Sequence, residues 1–72
     1  MIHVLATVTL QAGRRAEFLD HFHRLMPLVH AEHGCLEYGP AVDLQTGLTA
    51  QIPLRDDVVV IVEKWENLDA LK

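Results

Sequence analysis

Residues able to do chemistry gather most densely between His30 and Asp43, in HAEHGCLEYGPAVD, which holds two histidines, the chain's only cysteine and its only tyrosine. Histidine and cysteine together raise a metal site and a nucleophile. A zinc site needs three or four ligands in a tetrahedral array. His30 and His33 can share one face of a helix, whereas His21 and His23, two residues apart, cannot. Cys35 lies beyond a glycine. We therefore read solvated histidines and no metal. As a nucleophile, Cys35 would need its pKa lowered by a helix N-terminus or a nearby cation. It follows a helix C-terminus instead, where the dipole disfavours an anion. Cys35 is expected to be a small buried hydrophobe. The segment is then mainly a corner, with Gly34 reversing the chain. Tyr38 is the exception, since its hydroxyl either enters a cleft or merely packs.

A second group lies near the C-terminal end of the sequence. Trp65, the only tryptophan, closes the run VVVIVEKW. It is expected to be a core plug. Glu63, two residues earlier, shares its face on a strand. A carboxylate inside an apolar strand must be paired or have a raised pKa. Glu63 is thus a candidate base, or else it holds a partner subunit. A third group lies on the first strand, where His3, Thr7 and Thr9 project from one face. If that face lines a cavity, His3 is a candidate general base near neutral pH and Thr7 a candidate substrate contact.

The elements that must position these groups follow from periodicity. Ile2 to Leu10 alternates as a strand, with Ile2, Val4, Ala6, Val8 and Leu10 on an apolar face that should meet helices. A helix is expected from Arg14 to His33, carried by Phe18, Phe22, Leu25 and Val29. Pro27 lies inside it and predicts a kink or local break between His23 and Pro27. Cys35 to Asp43 is a second strand, expected to bend or bulge at Gly39-Pro40. The stretch from Leu44 onward is an irregular connection, with a short edge strand possible at Leu48, Ala50 and Ile52. Val58 to Val62, five consecutive β-branched residues, begin a strand suited to burial on both faces. A second helix follows, capped by Glu66 or Asn67, with Leu68 and Leu71 on one side.

The chain has 72 residues, a formal charge of -4 and 50% hydrophobic residues. That length allows a single domain, which buries only about 60% of its unfolded surface and needs a staple. One cysteine excludes an internal disulfide and fits a reducing, cytoplasmic setting. The acidic balance argues against nucleic acid. No apolar run reaches the roughly 20 residues of a membrane helix, and the apolar start precedes its charges, unlike a signal peptide. A metal or self-association remains as the staple, and the apolar faces of Val58 to Val62 favour a homodimer or a higher homo-oligomer.

EHGCLEY, an aspartate five residues on, and a hydrophobic strand ending VEKWENLDAL together resemble the antibiotic biosynthesis monooxygenase family, and within it the bacterial quinol monooxygenases. AGRRAEF, LMPLVHAEHGC and YGPAVD extend the likeness over Ile2 to Lys72. The resemblance implies a ferredoxin-like α+β subunit of a dimeric α/β barrel, with sheets packed face to face. It implies a cofactor-independent oxidation of a quinol or phenolic aromatic substrate by molecular oxygen. His3, Tyr38 and Glu63 would then be the proton-handling candidates, and Thr7 and Trp65 the substrate contacts. The family pattern continues past Lys72 with a final strand, so residues 1–72 are expected to be an incomplete domain of order β-α-β-β-α. A non-catalytic binding or assembly module, a haem-degrading relative and an isomerase are the rival readings on this fold.

Overall fold

The computed structural model describes residues 1–72. Strand β1 spans Ile2–Thr9, helix α1 Arg15–His30, strand β2 Cys35–Ala41, strand β3 Val58–Trp65 and helix α2 Leu68–Leu71. The strands form one antiparallel sheet in the order β1-β3-β2. The β-branched run therefore occupies the centre, where stiff side chains pack on neighbours from both sides. This is a small α+β fold of the ferredoxin-like kind, and the sheet is open rather than closed into a barrel.

Register fixes which residues share a face. Ile2 lies opposite Trp65, Val4 opposite Glu63, Ala6 opposite Ile61 and Val8 opposite Val59. Helix α1 covers this face chiefly over β2, and Phe22 is its buried contact. The core is correspondingly small: Phe22, Cys35, Val59 and Trp65. The other face carries His3, Leu5, Thr7 and Thr9, opposite Lys64, Val62, Val60 and Val58. All four β1 residues there are exposed. Only Val59 of the valine run is buried, so burial of that strand on both faces does not hold within the single chain.

Three sequence expectations are corrected. Helix α1 runs unbroken through Pro27 and ends at His30, short of His33. The lost hydrogen bond falls on an exposed stretch of helix, where water can satisfy the His23 carbonyl. Strand β2 does bulge, but between Cys35 and Glu37; Gly39 and Pro40 stay in register opposite Val62 and Ile61. Pro40 is tolerated because β2 is an edge strand, which leaves alternate N–H groups without a ladder partner. Residues 48–52 form no edge strand. That connection is instead buttressed by Gln51, whose side-chain oxygen accepts from the Thr46 hydroxyl at 2.6 Å and from its backbone N–H at 3.0 Å. At its base Arg55 Nε and Nη2 donate to the two oxygens of Asp43 at 2.8 and 2.9 Å.

Candidate active site

The bulge decides where Tyr38 points. In a regular strand a buried Cys35 would bring Glu37 to its own face. The extra residue, Leu36, rephases the alternation, so Cys35 lies opposite Trp65 and Tyr38 opposite Glu63. Tyr38 thereby reaches the helix face, where its ring stacks on Phe22 with centroids 5.2 Å apart at 17°. Phe22 stacks in turn on Phe18 at 5.8 Å. The three rings line the flank of α1 beside the sheet.

Glu63 and Trp65 complete the cluster. The indole N–H of Trp65 donates to Glu63 Oε1 at 3.0 Å. Trp65 is 3% exposed, while Glu63 and Tyr38 are half-buried. Burial pushes the Tyr38 phenol above its usual pKa, and the Glu63 carboxylate pushes it the same way. Tyr38 is accordingly a neutral phenol near pH 7, able to donate a hydrogen bond. Glu63 makes no ion pair; those present join Arg14 to Glu17, Arg24 to Asp20 and Arg55 to Asp43. The floor beside this cluster is the half-buried, apolar row Val4, Ala6 and Ile61. An acceptor carboxylate, a donor phenol and aromatic walls over an apolar floor can bind a hydroxylated ring and take a proton from it.

His3 and Thr7 lie elsewhere. Both are exposed on the opposite face of the sheet, against Lys64 and Val60. The five sequence candidates therefore divide into Tyr38, Glu63 and Trp65 on the helix face and His3 and Thr7 on the open one. Sequence reasoning missed Phe22 and Phe18 as members of the site. Their spacing at i and i+4 had marked them only as helix core. A separate open cavity of about 310 Å³ lies at the start of α1, lined by Leu10, Gln11, Arg14, Glu17, Phe18 and His21.

The corner has the expected character. Gly34 adopts φ +83°. Its carbonyl accepts from the Glu66 N–H at 2.8 Å. A Cβ at Gly34 would sit 2.5 Å from that of Ala70. Cys35 is buried, and burial followed by the charge of Glu32 raises its pKa, as suits an unreactive thiol. No group of three or more His, Cys, Asp or Glu side chains is arranged to hold a metal ion.

Comparison with known proteins gives a consistent result. The model of the family "Antibiotic biosynthesis monooxygenase" matches residues 1–72. Proteins of Escherichia coli K12, Escherichia coli O157:H7 and Shigella flexneri, each named "Probable quinol monooxygenase YgiN", are 34% identical over 74 residues. Those alignments cover 100% of this chain and 70% of each relative.

Proposed function

The chain belongs to the antibiotic biosynthesis monooxygenase family, and from that membership we propose that it oxidises a quinol or related phenolic ring with molecular oxygen, without metal or organic cofactor. The observation that carries this reading is the gathering of Tyr38, Glu63 and Trp65 on one sheet face beside the α1 rings. The ring lies over Val4 and Ala6 against the aromatic walls. Glu63 Oε2, free of the indole bond, accepts the phenolic proton while Tyr38 donates to a substrate oxygen. The phenolate passes one electron to oxygen, and the radical pair combines at a ring carbon as a hydroperoxide. Loss of water from it leaves one oxygen atom as the new carbonyl, so a single O2 supplies the quinone oxygen and the water. The protein contributes orientation and a water-poor surface.

Oxygen uptake with a chemically reduced naphthoquinol, without flavin, haem or metal, tests the proposal. Uptake above autoxidation is expected. Trp65→Phe should retain part of it. Trp65→Ala should abolish it, and because a core truncation costs about 3–5 kcal/mol, folding is checked on the same sample. No uptake above autoxidation by the parent protein would remove the monooxygenase reading in favour of a binding module.

The working form in this proposal is a homodimer in the cytoplasm, built on the open sheet face. The chain exposes 5291 Å², where a folded monomer of 8.1 kDa exposes about 4,500 Å². The excess, about 800 Å², is what one partner contributes to a standard interface. The face has an apolar centre, Leu5 opposite Val62, and a polar end, His3 opposite Lys64. His3 and Thr7 then belong to the subunit contact.

A further inference from the structure

Glu63 is a half-buried carboxylate with no cation beside it, and its one hydrogen bond is to an indole. A carboxylate set in an apolar strand without an ion-pair partner is a candidate for a use beyond packing. Two features of its surroundings define one. Residues two apart on a strand share a face, so Glu63 stands beside Trp65 and fixes the ring through the nitrogen at its edge. Glu63 is also the cross-strand partner of Tyr38, whose ring is itself held flat against Phe22. One carboxylate thus holds the indole by a hydrogen bond and stands across the strand pair from Tyr38.

We propose that Glu63 is a positioning residue, which holds the angle of the Trp65 indole through Oε1 and sets the electrostatic surroundings of Tyr38 across the strand pair. The inference rests on the reading of this cluster as the substrate site, and it adds a duty to Glu63 beyond accepting a proton. Indole bound to a carboxylate is held by a charge-assisted hydrogen bond, stronger than a neutral one. The titratable groups acting on Tyr38 are Glu63 from β3, Cys35 at the start of β2 and Glu32 after α1, and α1 itself meets the ring with Phe22. Burial is the first cause of the raised phenol and Glu63 the largest charge among the others.

The chain has one tryptophan and one tyrosine, so each partner can be watched without interference. Glu63→Gln keeps an acceptor for the indole and removes the charge. Glu63→Leu removes both. Indole orientation is read by near-ultraviolet circular dichroism and emission, and Tyr38 ionisation by phenolate absorbance. In Glu63→Gln the indole signals should persist while Tyr38 ionises at lower pH than in the parent. In Glu63→Leu the indole band should collapse as well, with far-ultraviolet dichroism unchanged. Both variants lose the base, so substrate is read by binding: without oxygen, the Kd for a naphthoquinol should rise about tenfold in Glu63→Leu, the scale of one charge-assisted hydrogen bond, and much less in Glu63→Gln. Unchanged indole signals in folded Glu63→Leu, or an unmoved Tyr38 midpoint in Glu63→Gln, would overturn the proposal. If Glu63→Leu does not fold, Glu63→Gln decides alone, by a retained indole band together with a lowered Tyr38 midpoint. The spectroscopic arms need no substrate. Expected spectra with no oxygen uptake by the parent protein would therefore sink the monooxygenase reading while leaving the Glu63 coupling in place.

Discussion

Gly34 carries two constraints at once. Its φ of +83° lies in the left-handed region, and its absent Cβ leaves room for Ala70. Gly34→Ala should therefore destabilise by the backbone strain, about 1–3 kcal/mol, and further by the 2.5 Å clash. Ala70→Gly in the same chain should recover only the clash, because it does nothing for φ. Urea unfolding of both variants measures the split, and full recovery would show that strain at Gly34 is negligible. The neighbouring histidines are a contrast. His21, His23 and His30 on α1 and His33 beyond its end are all exposed, so their density in the sequence reflects solvated surface.

At the scale of elements, β2 shows what the sequence could and could not convey. The valine run of β3, the amphipathic stripe of α1 and a cap at Glu66 or Asn67 are local signals and were legible; the structure makes the cap Asn67, whose Oδ1 accepts from the Ala70 N–H at 2.9 Å. The Leu36 bulge was not. It depends on how the Gly34 corner meets the far end of β3, a contact between residues distant in sequence. Side-chain direction after a bulge follows from it, so Tyr38 could not be assigned to a face beforehand, nor separated from His3 and Thr7. Deleting Leu36 should restore plain alternation, turn Tyr38 from Phe22 and bring Glu37 inward. The expected result is a less stable protein in which Tyr38 ionises closer to an ordinary tyrosine, read by phenolate absorbance. An unchanged midpoint would mean the strand re-forms its bulge elsewhere. In α1, Pro27→Ala should stabilise the chain by up to about 3 kcal/mol, since the helix already runs through this exposed position. Thermal unfolding checks it, and a lower midpoint would mean that the proline ring makes a contact worth more than the restored hydrogen bond.

The whole molecule is spread thin. Its radius of gyration is 13.9 Å, against about 11 Å for a compact chain of this length. Sedimentation at micromolar concentration should accordingly find no folded monomer of the parent protein. Leu5→Lys, a charge on the apolar centre of the open face, should weaken the dimer and with it the fold, so that its thermal midpoint falls and depends more steeply on protein concentration. A stable parent monomer would remove the dimer from the proposal.

The bidentate pair between Arg55 and Asp43 closes a stretch of chain at its two feet, twelve residues apart. Asp43 is held well below the usual carboxylate range, at about 2, chiefly by its hydrogen bonds from Arg55. The clamp thus contributes fully above an unfolded pKa near about 4 and fades as pH falls towards the folded value. Pepsin near pH 2 should nick this stretch faster than a neutral protease does, and Asp43→Asn should show the faster cleavage already at neutral pH. Equal cleavage rates would mean that Gln51 alone keeps the stretch closed. Above that range the clamp separates the stretch from the sheet. What lies between the feet can then change length without disturbing the register of β2 on β3, at roughly 0.6 kcal/mol for each doubling. The same scaffold can accept a peptide tag, a reporter or an extra binding segment there, making this connection a natural port for insertions.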